Sequence, residues 1–381
     1  MRRSAKGFPR AVRGRAYGVG VTNSSGARVG ITDATTPAGN LIENNGLDAI
    51  NLSNGSNANL HGNTIQGNGR DGVNVGRSSL RLIGANTIRA NTVRGVTVSQ
   101  GGLFQGAGDF SLPVAVDVLE AYGDAGLGVF QGGSADVRLA MIRNNGIRGI
   151  NLSNGGALLM ANSTVQNNTG DGLGVFNGSS ALPIAPAVTI TGNTGAGVNL
   201  FDGASADIQF ASITLNGGRG ISASTGSKLR LLDSTVSQHP NDGVGAFDGA
   251  SVLIQCAFAP FPTCATGSIN TISQNNFNGV NVATGSTGVL QGVTVSGTTG
   301  NGVRVDTNAP LRLQTASTVI TGNTGAGIEV SHASIANFNS PPSSVTGNGG
   351  PEVICPGGAP SFVVGNISLV TEPISGCLYF P

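Results

Sequence analysis

Asp48, Asp71 and Arg94 follow one another at intervals of 23 residues. If that interval is one turn of a repeating structure, the two carboxylates lie about 5 Å apart with the arginine beside them. Paired acids can then share acid and base roles or hold a calcium ion. A second set of candidates is Phe130, Phe176, Phe201 and Phe247, followed by Gln131, Asn177, Asp202 and Asp248. An aromatic-plus-polar edge of this kind suits carbohydrate, and stacked rings in structural bends explain it without a ligand. A third group gathers Asp109, Asp117, Glu120, Tyr122 and Asp124. Tyr122 could stack on a sugar and the acids could bind hydroxyls or calcium, or the whole could be a solvated loop.

Whether such residues meet depends on the elements that carry them. Aligned on the small residue before an aliphatic-x-aliphatic triplet, the anchors are Ala49, Gly72, Gly95, Gly126, Gly149, Gly172, Gly197, Gly220, Gly243, Gly279, Gly302 and Gly327. Seven of the eleven intervals are 23 residues, and those of 31 and 36 locate insertions near 99–118 and 256–270. A degenerate thirteenth unit is anchored at Glu352. One position after the anchor every residue is aliphatic, from Ile50 and Val73 to Val353, and so is every residue seven before it, from Ile42 and Ile65 to Val345. Short alternating apolar stretches broken by Gly, Asn and Ser predict short strands. A coil of this length cannot bury its own apolar face, whereas stacking coils buries it and satisfies the backbone together. The expected architecture is all-β, a right-handed parallel β-helix of 12–13 coils over residues 18–355, with a basic disordered tail at 1–17 and a capping segment at 356–381.

Four positions before the anchor runs a column of amides that includes Asn45, Asn68, Asn91, Asn145, Asn168, Asn193, Asn216, Asn275, Asn323 and Asn348. Stacked amides hydrogen-bond from coil to coil, so this column is structural. The pattern N-x-x-x-G-[VIL]-x-[VIL], as in Asn68 to Val75 and Asn168 to Val175, resembles the right-handed parallel β-helix repeat proteins of the pectate-lyase-like fold. The resemblance covers residues 40–355. It implies the fold and leaves open polysaccharide lyases, galacturonases, epimerases, tailspikes, adhesin-like surface proteins and chains without activity. Enzymes of this fold carry an acidic cluster on the outward face of one strand column. The outward position of the first strand here holds Asn51, Asn74, Thr97, Gly128, Asn151, Gly174, Asn199, Ser222, Gly245, Asn281, Arg304 and Glu329, with almost no acid. The resemblance therefore implies a scaffold more readily than an enzyme.

The column of Asp48, Asp71 and Arg94 continues through Arg148, Asp171, Arg219 and Asp242, so opposite charges also adjoin: Asp71 with Arg94, Arg148 with Asp171, Arg219 with Asp242. Ion pairs that set register explain it without catalysis. His239 stands in the amide column and is expected to replace an Asn there; His61 and His332 lie in other coils.

Composition bounds the rest. Gly supplies 62 residues, Trp is absent and aromatics are 4%, which disfavours helices. Six of the 20 basic residues stand before residue 16, so the formal charge of +1 becomes −5 for the remainder. A mildly acidic body without a basic stripe excludes nucleic acid as the partner. No apolar run reaches membrane-spanning length, and no 7–15-residue apolar run follows the basic N-terminus. Cys256 with Cys264 and Cys355 with Cys377 are expected as local disulfides, hence an oxidising compartment, with any export signal lost or at a misplaced start. A reduced cytosolic chain with four inert thiols is the alternative. The favoured reading is an exported, non-catalytic β-helix that binds polysaccharide or a cell-surface glycan, without cofactor unless calcium. The alternatives are a polysaccharide lyase or hydrolase using Asp48, Asp71 and Arg94, and a structural stalk; oligomeric state is left open.

Overall fold

The computed structural model describes residues 11–14, 16–30, 39–106, 116–120, 123–183, 187–256, 269–314, 317–339, 343–357, 360–371 and 374–380. The chain divides into two compact units, Met1–Thr169 and Gly170–Pro381. Each is an all-β parallel solenoid, and about 13 coils of about 23 residues are present in all, with no helix among the described residues.

Three short strands form each coil and stack into three parallel sheets. In the first unit, sheet 1 contains strands such as Leu41–Glu43 and Thr64–Gln66, sheet 2 Ile50–Ser53 and Val73–Gly76, and sheet 3 Asn57–His61 and Ser79–Leu82. The aliphatic columns are the registers of these sheets. Ile42 pairs with Ile65 and Ile65 with Ile88, while Ile50 pairs with Val73 and Val73 with Val96. In the second unit Ile190, Ile213 and Val236 line up in sheet 1, and Val198, Ile221 and Val244 in sheet 2. All are buried in the solenoid interior. Sheet 3 supplies a third inward column, with Leu80, Phe104 and Ala135 in one register and Leu290, Leu313 and Phe338 in another. Phe104 and Phe338 are fully buried there, so the few aromatics of this chain partly serve as core filler.

The boundaries differ in places from those expected. Ala11–Val12 pairs with Leu41–Ile42, so a strand begins inside the stretch expected as a tail, while residues 1–10 lie outside the described residues. Leu103–Gln105 pairs in register with Ser79–Arg81 and Ser134–Asp136, so sheet 3 continues through part of 99–118. Residues 107–115 and 257–268, which hold most of the two insertions, lie outside the described residues. The capping segment adds Phe362–Gly365 and Leu378–Phe380 to sheet 3. It is tied down by the disulfide Cys355–Cys377, with Cα atoms 4.9 Å apart. Cys256 is disulfide-bonded as well, and Cys264 lies outside the described residues.

Bends between the sheets cannot use strand pairing, and their buried N–H groups must find acceptors elsewhere. Stacked side chains provide them. In the amide column, the N–H of Asn45 donates to Oδ1 of Asn68 at 3.1 Å, Asn68 to Asn91 at 3.2 Å, Asn193 to Asn216 at 3.1 Å and Asn323 to Asn348 at 3.1 Å. A second ladder, not evident from sequence because its residue types vary, precedes sheet 1. Here the N–H of Asn63 donates to Asn86, Asn86 to Asp117, Ala140 to Ser163, and Ser234 to Asn270, at 2.9–3.1 Å.

Asp117 is the irregular rung. Its Oδ1 accepts both the N–H and the Nδ2 of Asn86, at 2.9 Å each, while Oδ2 is buried without a partner among the described residues. Burial pushes its carboxyl up to about 6 against the hydrogen bonds from Asn86. Because the folded-state pKa is raised, the favourable contribution is full below about pH 4 and is lost as pH rises toward 6. Asp117→Asn, which keeps the acceptor and removes the charge, is therefore expected to stabilise the protein above pH 6. The gain is up to about 3 kcal/mol, shrinking toward zero near pH 4, as read from urea denaturation across that range.

Candidate functional site

Asp48 and Asp71 lie at the bend entering sheet 2, 0% and 4% exposed. Both side chains turn into the seam between coils. The N–H of Asp71 donates to Oδ1 of Asp48 at 3.1 Å, and the N–H of Arg94 to Oδ1 of Asp71 at 3.2 Å. The same arrangement joins Ala196 to Asp171, Asn278 to Asp242, Asn301 to Asn278 and Ala326 to Asn301. The charged column is thus a further ladder, running in the opposite sense to the amide ladder, and Asn serves in it as well as Asp.

Arginines close its outer side, with one partner differing from the expected one. Arg70 clasps Asp48, its Nε 2.7 Å from Oδ1. Arg94 sends its guanidinium to Asp124, Nε to Oδ2 at 2.7 Å, and not to Asp71. Arg219 pairs with Asp242 at 3.1 Å, as expected, and Arg304 with Glu329 at 3.3 Å. Burial, reinforced by the neighbouring Asp48 charge, raises the Asp71 pKa. Of the third group of candidates, Glu120 pairs with Arg143, Asp117 belongs to the inner ladder, and Asp109 and Tyr122 lie outside the described residues.

The phenylalanines have different surroundings. The Arg94 guanidinium sits 4.7 Å over the Phe130 ring, and Arg219 4.5 Å over Phe247. Each ring lies across a glycine, Gly128 or Gly245, where an added Cβ would come within 2.5 Å of the ring. These two rings serve as platforms for arginine. Phe176 is half-buried, whereas Phe201 is 46% exposed. Asp202 and Asp248 are exposed and adopt φ of 59° and 53°, each followed by a glycine at positive φ. Two successive left-handed residues make a tight turn, and Gln131, Asn154, Asn177 and Thr225 fill the same place in other coils.

His239 takes over an amide rung atom for atom. Its Nδ1 accepts the N–H of Asn216 at 3.2 Å, and its Nε2 lies 3.1 Å from the carbonyl of Ile213. Asn216 makes the equivalent bond from Nδ2 to the carbonyl of Ile190. Burial holds the imidazole pKa below its ordinary value, so the neutral form fits this role.

In the second unit, Ala196, Asn199, Gly218, Arg219, Ser222 and Asn241 line a shallow depression of about 200 Å³. Asn199 and Ser222 come from the outward face of sheet 2, and the others from the preceding bends. Phe201 lies two residues beyond Asn199 on the same face. Among the described residues, no three His, Cys, Asp or Glu side chains come together as a metal site.

Comparison with known proteins agrees with this architecture. A family model described as "Right handed beta helix region" matches residues 13–107, and one described as "Periplasmic copper-binding protein (NosD)" matches residues 124–293. The A-module of the Azotobacter vinelandii mannuronan C-5 epimerase AlgE6 superposes with a TM-score of 0.53 at 14% identity, covering 86% of this chain and 91% of the module. This chain is a right-handed parallel β-helix repeat protein. The β-helix also matches the A-module of AlgE4 from the same organism, with a TM-score of 0.43, 12% identity and coverage of 86% and 89%. No curated protein matches it. At 14% identity the likeness to the AlgE6 module is one of fold.

The seam of this β-helix makes a clear prediction for its most buried acid pair. Asp71→Asn retains an acceptor for the Arg94 N–H and removes a desolvated charge, so the melting temperature should hold or rise. Asp71→Ala orphans that N–H and should cost about 1–3 kcal/mol in urea denaturation.

Proposed function

We propose that this protein is an exported β-helix that binds a polysaccharide without cleaving it, at the sheet 2 face of its second unit. The observation that carries the reading is the depression of Asn199, Ser222, Arg219 and Asn241 beside the exposed ring of Phe201. Amide, hydroxyl and guanidinium donors can bind sugar hydroxyls, and the ring offers an apolar face to stack on a pyranose. The chemistry needed for cleavage is not gathered there. Asp48 and Asp71 are buried, occupied by backbone N–H groups and, for Asp48, clasped by Arg70. The disulfide Cys355–Cys377 and the match to a family described as periplasmic support an oxidising, extracytoplasmic compartment.

Copper, which that family description names, does not fit the donors described here. Copper sites draw on thiolate, thioether and imidazole. Cys256, Cys355 and Cys377 are in disulfides, Met160 is buried in the core, His239 spends both ring nitrogens on the ladder, Nδ1 of His332 is engaged by Asp306, and neither His61 nor His332 joins a cluster of three His, Cys, Asp or Glu side chains among the described residues.

The test is retention of the disulfide-intact protein on insoluble neutral and acidic glycans, with and without calcium, alongside reducing-end and unsaturated-product assays. Retention without cleavage, lost in Phe201→Ala and weakened in Asn199→Ala, is the expected result. Cleavage abolished by Asp71→Asn would replace it with an enzyme, and absence of both retention and cleavage would leave a structural stalk.

A further inference from the structure

The outward face of sheet 1 has different chemistry in the two units. In the first it carries Glu43, Arg89, Glu120 and Arg143, with Glu43 paired to Arg13 and Glu120 to Arg143. In the second, seven strands from Val188–Thr191 to Ser344–Thr346 present two outward positions each. Thirteen of these fourteen positions are Thr or Ser, the exception being Val319. No charged, amide or aromatic side chain stands among them.

The hydroxyls form two files held in register. Thr189 pairs with Ser212 and then Thr235, and Thr191 with Thr214 and then Ser237, and the pairing continues to Ser344 and Thr346. Strand geometry sets the files about 7 Å apart and successive rungs about 4.8 Å apart. The Thr214 hydroxyl donates to that of Thr191 at 3.2 Å, and no other hydroxyl of the array has a hydrogen-bonding partner among the described residues. Ser237, only 8% exposed, stands on this face with its hydroxyl equally unpartnered.

Folding does not call for this array, since the inward aliphatic columns and the ladders already fix the register. Solubility would be served by charge, as in the first unit. A dissolved sugar would find no ring to stack on and no charge or amide to orient it. Each hydroxyl exchanging water for a ligand gains little, so a small ligand would be held weakly. Such contacts add up only against a rigid partner that repeats on similar spacings, where one docking event makes many bonds without ordering the partner each time. Eight of the thirteen are Thr, which sets a methyl beside the hydroxyl, so the face offers hydrogen bonds and apolar contact together.

We propose that this face adsorbs to crystalline ice, with the hydroxyl files joining the outermost hydrogen-bonded layer of the lattice. The site is separate from the sheet 2 depression, and neither depends on the other.

The test uses the labelled full-length protein and a slowly growing ice hemisphere, together with the gap between melting and freezing points. Incorporation into ice and a measurable gap are expected. Thr214→Tyr and Thr294→Tyr, which raise a ring from the middle of the array, should abolish both while leaving the melting temperature near that of the parent. Arg89→Tyr, at the equivalent position of the first unit, should leave both unchanged. Should Thr214→Tyr fail to fold, Thr294→Tyr carries the comparison. Exclusion of the parent protein from ice, or equal incorporation of a folded Tyr variant, overturns the proposal. Retention on crystalline cellulose without incorporation into ice also overturns it, in favour of a glycan-binding face.

Discussion

A stack of parallel coils is limited by its bends. Strands within a sheet satisfy one another, but each bend brings backbone N–H groups into the interior with no strand partner, and leaving one unpaired costs more than a typical hydrogen bond gains. This β-helix meets that constraint by placing a side-chain oxygen of one coil under the N–H of the next. The amide ladder at Asn45 and Asn68 and the inner ladder at Asn63 and Asn86 accept in one direction along the stack, and the aspartate ladder at Asp48 and Asp71 accepts in the other. Coil spacing and strand register follow from keeping these rungs aligned.

The same constraint explains why buried carboxylates here need not signal catalysis. A paired, desolvated acid with a raised pKa is a familiar indicator of an active site. Asp71 and Asp117 have that character, yet each accepts a backbone N–H at a position where Asn or Ser serves in another coil. Their ionisation is a cost of using Asp where a neutral amide would do. What faces solvent is different: amides and hydroxyls on sheet 2, a ring at Phe201, and hydroxyl files on sheet 1 of the second unit.

Much of this was legible from periodicity. Ile42, Ile65 and Ile88 keep one residue class at a fixed interval because they stack in one core, and the amide column keeps Asn because the rung needs both an acceptor and a donor. His239 was legible as a substitute because imidazole carries the same acceptor and donor pair. The inner ladder leaves no mark in the sequence because Asn86, Asp117, Ser163 and Thr318 share only an oxygen, which no residue-type pattern displays. The partner of Arg94 is not legible in its column, because a long flexible side chain can reach the next bend, where Asp124 stands, as easily as the one behind it. The role of Phe130 and Phe247 was also hidden. The clue was the glycine two residues earlier in each strand, Gly128 and Gly245, which makes room for the ring and for the arginine above it.

Side-chain rungs, and not only strand pairs, hold the coils together. Native-state hydrogen exchange at the bend amides of Asn45, Asn68, Asn193 and Asn323 tests it most directly. If the rungs bear the load, these N–H groups exchange only through the same large opening that releases the core amides of Ile50 and Val198. Exchange at the rates of solvent-exposed turns, with the sheet amides still protected, would show that the ladders are incidental to stability and would contradict the account.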